Sequence, residues 1–139
     1  MRLKDTAISY HIVNLVFSFI ITMIFVYSLI FRADNHPIPA ILTEITGIIP
    51  PSKGLSSSFS EIIRGNFYQS LSYNVHGIRV FAFFALQLLF RIMFSLLVRV
   101  RIEMISTVVL IDAGTSILLF LWSFAPFIAY ILELFNGLF

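Results

Sequence analysis

The feature that most constrains this chain is an apolar run over residues 8–31 that contains no formal charge. A helix of this length extends roughly 36 Å, so it can cross a hydrocarbon core about 30 Å thick. A secretory signal peptide would have a shorter apolar region followed by a small-residue cleavage site, and the sequence after Phe31 offers no good one. The run therefore predicts a membrane anchor that is retained.

Two further apolar blocks predict spans over residues 78–98 and 104–132. Gln87 and Arg91 interrupt the second block, and the third contains Asp112 early and Pro126 late. The third block is longer than a crossing requires, so a tilt, a kink at Pro126 or an interfacial first turn would absorb the excess. Charged residues make up 12% of the chain, about half their share in soluble domains. We predict an all-α integral membrane protein, with residues 1–139 forming one unit around three transmembrane helices.

The positive charges favour one orientation in the membrane. Three spans place the chain ends on opposite sides, and the N-terminal side carries its cations in two short segments, whereas the other side carries them in a long one. The two sets are Arg2, Lys4, Arg99 and Arg101 against Arg32, Lys53, Arg64 and Arg79. Because cationic short loops mark the cytoplasmic side, we expect a cytoplasmic N-terminus.

Residues 37–77, between the first two spans, form a polar segment rich in Ser and punctuated by Gly. We predict two or three short helices in this segment, lying at the membrane interface with their apolar faces on lipid or on the spans. The first would follow Pro39 and run over residues 40–46, ending at Gly47.

The second short helix is predicted from a capping box. Ser58 and Glu61 have the required spacing, in which the Ser58 hydroxyl accepts from the Glu61 amide and Glu61 reaches back to the Ser58 amide. The helix would start at Ser58 and end at Gly65 in a left-handed conformation. A third would begin at Asn66 and stop at Gly77. We interpret the cap and stop residues of these two helices as structural; they are Ser58, Glu61, Gly65, Asn66 and Gly77.

The same segment carries a family resemblance. The strings T-G-I-x-x-P-x-x-G-L-S, I-R-G-N-F and S-L-S-Y-N follow one another. Together they resemble the signature of the DUF2752 family of small bacterial membrane proteins, to which no activity is assigned. The matching positions are Thr46, Gly47, Pro51, Gly54, Leu55, Arg64, Gly65 and Asn74.

Four positions depart from that signature. Pro50 and Lys53 stand where the family pattern has two cysteines, Ser57 stands where it has Arg, and His76 lies close to the expected Pro. The resemblance therefore implies a member that has lost the thiol pair. Any metal or disulfide chemistry of the family is not carried over to this chain.

No pattern in the sequence predicts a reaction centre. His11, His36 and His76 lack the paired spacing of metal ligands. The Ser run at 56–58 has no nucleophile-elbow motif, and the turn around Lys53 lacks the phosphate-loop pattern. We predict no catalytic, metal-binding or cofactor-binding residue and a protein that is not an enzyme. A net charge of +2 gives no reason to expect a nucleic-acid partner.

Arg91 and Asp112 are the two charges expected at membrane depth. If the turn between the second and third spans lies over residues 99–103, both charges lie roughly 12 to 14 Å from it and can pair. Gly114 with Ala113 would then let the two backbones approach closely. Alternatively, Arg91 extends towards a lipid phosphate while Asp112 starts a helix at the interface, or the two form a charge pathway.

Three functions of different classes are compatible with these features. The first is a non-enzymatic accessory or scaffold subunit of a larger membrane complex, with lipid and either other subunits or further copies as partners. The second is a component of a membrane enzyme acting on lipid-linked substrates, and the third is an oligomeric channel or transporter piece. The residues that would act are Lys53, Glu61, Arg64 and His76 in the second case, and Gln87, Arg91 and Asp112 in the third.

Overall fold

The computed structural model describes residues 2–33 and 50–136. They form, in order, α1 (Arg2–Ile30), α2 (Leu55–Ile63), α3 (Phe67–Tyr73), α4 (Gly77–Val100), a 3-10 turn (Ile102–Met104) and α5 (Ile105–Asn136). These two ranges contain no β-strand. The predicted all-α fold is confirmed, whereas the short helix predicted over residues 40–46 lies outside the described residues.

Three of the helices are long and apolar enough to cross a membrane. They cover Leu3–Ile30, Gly77–Val100 and, with the 3-10 turn included, Ile102–Asn136. The last is longer than predicted and continues through Pro126, a residue that membrane helices tolerate because neighbouring groups can satisfy the freed carbonyl. The chain is therefore built as an integral membrane protein with three spans.

Helix α4 lies between α1 and α5 and packs along both. Near the turn that joins α4 to α5, an apolar cluster contains Ala7, Phe94, Val98, Ile105 and Val108. At the opposite end of the bundle, aromatic rings from α2, α4 and α5 contact one another, with Phe83 and Phe124 meeting edge to face at 5.3 Å between ring centroids. The bundle thus has an apolar layer near each end.

Helices α2 and α3 pack against each other and against α4, and α2 also packs against one end of α1. We call residues 50–76 the cap. The end of α3 holds the turn that precedes α2, because Asn74 Nδ2 donates to the carbonyl oxygens of Pro51 and Lys53, both at 2.8 Å. Gly54 sits in that turn with φ of 77°, and a Cβ there would overlap the Tyr73 carbonyl.

The capping-box prediction at Ser58 is wrong. Helix α2 begins at Leu55, after Gly54, and no side chain caps its first turn. Ser58 is fully buried inside the helix, and its hydroxyl lies 2.9 Å from the Ser70 hydroxyl of α3. Contact between the two cap helices, which the local sequence does not encode, decides where this hydroxyl bonds.

The end of α2 is as predicted. Gly65 has φ of 82°, and the amides of Gly65 and Asn66 donate to the carbonyls of Ile62 and Glu61, both at 2.9 Å, which is the Schellman arrangement. Asn66 precedes the first residue of α3, as predicted. The Glu61 carboxylate does not reach back to Ser58 and instead accepts from Asn66 Nδ2 at 2.8 Å.

Gly77 does not end a helix, contrary to prediction. Helix α3 ends at Tyr73 and Gly77 is the first residue of α4. A Cβ at this position would overlap the Ser58 side chain. The glycine is needed because the start of α4 passes directly over α2.

Candidate functional site

Six polar side chains meet between the three spans, and we call them the polar cluster. Each span supplies two of them at a spacing of four residues, which places both on one helix face. They are Tyr10 and Asn14 of α1, Gln87 and Arg91 of α4, and Asp112 and Ser116 of α5. All six join one hydrogen-bonded network.

Arg91 and Asp112 form an ion pair inside the bundle. Arg91 Nη1 lies 2.7 Å from Asp112 Oδ2, and the two side chains are 14% and 3% exposed. The pairing is therefore found, and the alternative in which Arg91 extends away towards a lipid phosphate is wrong. A charge inside a span is costly unless it is paired, so the guanidinium turns inward to the carboxylate.

The two terminal nitrogens of Arg91 make four hydrogen bonds. Nη1 also donates to Asn14 Oδ1 at 3.1 Å, and Nη2 donates to Gln87 Oε1 at 3.0 Å and Ser116 Oγ at 2.8 Å. Two amino groups carry four N–H bonds, so each has an acceptor. The acceptors come from α1, α4 and α5, which makes Arg91 the centre of the cluster.

Asp112 also accepts a hydrogen bond from α1. Tyr10 Oη donates to Asp112 Oδ2 at 2.7 Å. The Ser116 hydroxyl lies 3.3 Å from both Asp112 Oδ1 and Gln87 Oε1, and having one proton it can donate to only one of them at a time. Oδ2 thus has two donors, from Tyr10 and Arg91, and Oδ1 faces the Ser116 hydroxyl.

The cluster has the properties of a structural lock. Its cation and anion neutralise each other, and His, Cys, Asp and Glu side chains form no group of three that could hold a metal within the described ranges. Removing one member of a buried ion pair is costly, at about 3 to 5 kcal/mol, because the remaining charge is left unpaired. The cluster therefore fixes the register of the three helices.

Gly114 does not help α4 and α5 to approach each other, contrary to prediction. A Cβ at Gly114 would have no atom within 4 Å outside its own helix, and Ala113 is also exposed. Asp112 faces the bundle, and each helical residue turns the chain by about 100°. The two residues that follow Asp112 therefore point outwards.

The second polar site is the contact between the cap and the end of α1. Arg64 Nη2 donates to the Leu29 carbonyl at 2.8 Å, and Nη1 donates to the carbonyls of Ser28 at 3.2 Å and Ser60 at 2.6 Å. The last carbonyls of a helix have no partner within it and carry partial negative charge. The last turn of α1 has no basic residue of its own, so Arg64 supplies the charge from α2.

Two serines of α2 complete this contact. Ser57 Oγ donates to the Ala33 carbonyl and Ser60 Oγ to the Phe31 carbonyl, both at 2.8 Å. Together with Arg64 they occupy positions i, i+3 and i+7, which lie on one helix face. These two serines thus hydrogen-bond the backbone carbonyls of the chain just after α1.

The other residues singled out from the sequence have separate environments. Lys53 is exposed in the turn before α2. The His76 ring contacts the Phe127 ring at 5.8 Å between centroids, next to Pro126 in α5. Sequence reasoning did not predict that Tyr10 of α1 bonds Asp112. The signal that could have indicated it is that polar residues stand four positions apart in each span, Tyr10 with Asn14 in the first.

No protein-family model, curated protein or solved structure matches this chain.

Proposed function

We propose that the protein is a non-enzymatic accessory or scaffold subunit of a larger bacterial membrane complex. The observation that carries this proposal is Gly114, which lies exposed in the first third of α5, two residues after Asp112, with open space around it. Glycine lowers helix stability by about 1 kcal/mol relative to alanine. Membrane helices place small residues where another helix approaches closely, so this position suits contact with a partner helix.

The residues around Gly114 form a continuous outer face of α5. Positions three or four apart share a face, and the members of this stripe are Thr107, Ile111, Gly114, Leu118, Leu121 and Ala125, all exposed. Within the stripe, Gly114 lies between the larger Ile111 and Leu118, which would flank an approaching helix. The partner is either another subunit or a second copy of this chain.

The internal contacts give less support to the other two functions. Of the four residues considered for a membrane enzyme, Glu61 is bonded to Asn66 and Arg64 to the end of α1. For a channel, the charges of Arg91 and Asp112 would have to be available to ions, and they neutralise each other. A scaffold requires no free reactive group.

The test is purification in a mild detergent followed by mass spectrometry. We expect the wild-type chain to carry a stoichiometric partner, and Gly114→Leu to lose it while keeping its own thermal stability. Ala113→Leu is the matched control, because Ala113 is an exposed small residue of the same helix that is turned about 100° away from Gly114 and so lies off the stripe. A wild-type chain that purifies as a clean monomer would overturn the proposal.

We further propose that the N-terminus is cytoplasmic and that the cap faces the opposite side of the bacterial cytoplasmic membrane. Lys4 and Arg101 would then lie on the cytoplasmic side, in line with the usual distribution of positive charge. The chain has no cysteine, so single Lys53→Cys and Arg101→Cys variants have no background. A membrane-impermeant maleimide added to intact cells should label the first variant and not the second, and the reverse pattern would refute this orientation.

Membership of the DUF2752 family is also a proposal. It is supported by the structural roles of four residues that carry the resemblance, Gly54, Arg64, Gly65 and Asn74, all of which shape the cap. A structure of a family member that has both cysteines should show these residues in the same contacts. A different arrangement there would remove the proposal.

A further inference from the structure

A groove of about 340 Å³ runs between α1 and α4 near the end of the bundle opposite the cap. Its polar lining residues are His11, Asn14, Ser18, Arg91, Ser95 and Arg99, and the remaining lining is aliphatic. No carboxylate lines it among the residues that the structure describes. We propose that this groove binds an anionic phospholipid, with the phosphate at the level of His11, Ser95 and Arg99 and an acyl chain along the aliphatic wall.

The cation available to the phosphate is Arg99. It lies in the last turn of α4 and is exposed. It forms no ion pair within residues 2–33 and 50–136, whereas Arg91, deeper in the groove, is neutralised by Asp112. Helical side chains lean towards the N-terminus of their helix, so Arg99 leans towards Ser95. The groove therefore has a free positive charge at its outer end only.

Two polar groups bridge the helices just below Arg99. His11 Nδ1 and Ser95 Oγ lie 2.6 Å apart. One proton is used in this contact, and either His11 Nε2–H or the Ser95 hydroxyl, according to the imidazole tautomer, is left to donate; together with Arg99 it offers donors suited to phosphate oxygens. These three residues come from both walls, and a bound phosphate would join α1 to α4 at this level.

Asn14 provides a further donor deeper in the groove. The residue is 2% exposed, and its Nδ2 makes no hydrogen bond to any described residue, although Oδ1 accepts from Arg91. Asn14 follows His11 by three residues, which is about 4.5 Å along the helix. Buried amide groups are normally satisfied, and the ester carbonyl of a phospholipid is an acceptor of the right kind below the phosphate.

The aliphatic wall argues for a lipid over a free anion. Leu15 and Leu96, which line opposite sides of the groove, are 70% and 54% exposed. A small soluble anion would leave these side chains uncovered, whereas an acyl chain would cover them. Basic pockets between transmembrane helices are known to bind anionic headgroups, and here the cation, the donors and the apolar wall follow the order of a phospholipid from headgroup to tail.

The experiment uses the full chain in detergent and native mass spectrometry with three additives of matched concentration: phosphatidylglycerol, phosphatidylcholine with the same acyl chains, and inorganic phosphate. We expect one phosphatidylglycerol per chain, retained in preference to phosphatidylcholine. Arg99→Gln should weaken that binding by about fivefold, the effect of one cation near a lipid headgroup.

Arg101→Gln is the matched control, because Arg101 lies two residues away, carries the same charge and is outside the groove. We expect it to leave the affinity within about twofold, because Arg101 Nη1 already lies 3.9 Å from Glu103 Oε1 and an exposed, paired charge contributes little. Leu96→Trp should abolish binding by filling the groove without changing charge, which provides a second variant should Arg99→Gln fold poorly. Equal effects of Arg99→Gln and Arg101→Gln, equal retention of the two lipids, or the same occupancy with inorganic phosphate would each overturn the proposal.

Discussion

Asp112 Oδ2 accepts from Arg91 Nη1 of α4 and from Tyr10 Oη of α1, each at 2.7 Å. One carboxylate oxygen of α5 therefore ties all three spans together at membrane depth. Between helices surrounded by lipid, apolar side chains gain little from contact with each other rather than with acyl chains. Directional polar contacts such as this one consequently have a large share in fixing how the helices sit against one another.

The ion pair predicts a non-additive pair of substitutions. Arg91→Leu and Asp112→Leu should each lower the stability of the protein in mild detergent by about 3 kcal/mol, because each leaves one buried charge without its partner. The double variant should recover part of this loss, since an apolar pair can replace a buried ion pair. Thermal unfolding of the four proteins provides the measurement. Effects that simply add would show that the two charges do not stabilise each other.

A second prediction concerns Arg64 at the end of the first span. Arg64→Ala should cost about 1 to 3 kcal/mol, because hydrogen bonds from a charged donor are lost and carbonyls of α1 are left without a partner. Arg64→Lys should restore only part, since a point charge cannot reach three carbonyls as a planar guanidinium does. Hydrogen exchange of the amides of α1 around residues 28–31 is the measurement.

Lys53→Ala is the control for Arg64, because Lys53 is an exposed cation of the same cap. It should change stability by no more than about 0.5 kcal/mol. If Arg64→Ala and Lys53→Ala have the same small effect, the capping role of Arg64 is wrong.

A third prediction separates two glycines. Gly77→Ala should destabilise the protein because its Cβ would overlap the Ser58 side chain, whereas Gly114→Ala meets no atom and should leave stability unchanged or raise it. Adding Ser58→Gly to Gly77→Ala should restore part of the loss by opening the space. Melting temperatures of the three variants and the wild type test this, and a neutral Gly77→Ala would mean that α4 does not pass over Ser58 so closely.

The left-handed residue at the end of α2 gives a fourth prediction. Gly65→Val should lower the stability of the cap by about 1 to 2 kcal/mol, because a β-branched residue resists positive φ. Gly65→Asn should cost less, since Asn tolerates this conformation. Hydrogen exchange across residues 59–64 reports on α2, and equal protection in both variants and the wild type would contradict the assigned conformation.

The number and nature of the spans could be read from the sequence because lipid imposes a simple requirement. A crossing segment must be about 20 residues long, largely apolar and helical, since no water is present to satisfy its backbone. The end of α2 at Gly65 was equally predictable, because a left-handed residue and the Schellman bonds involve only neighbours in the chain. The depth of Arg91 and Asp112 follows from their distance to a common turn.

The tertiary structure decided what depends on which helix faces meet. Ser58 reads locally as a helix start, yet contact with Ser70 and Gly77 places it inside α2. Gly114 reads as a site of close approach to α4, yet it faces outwards. The sequence by itself determined three spans, a helical segment between the first two and a local stop at Gly65. The partners of each polar side chain were decided by the packing of the helices. The sequence of a helix does not determine its rotation and its register against a neighbour, and these two quantities decide which side chains meet.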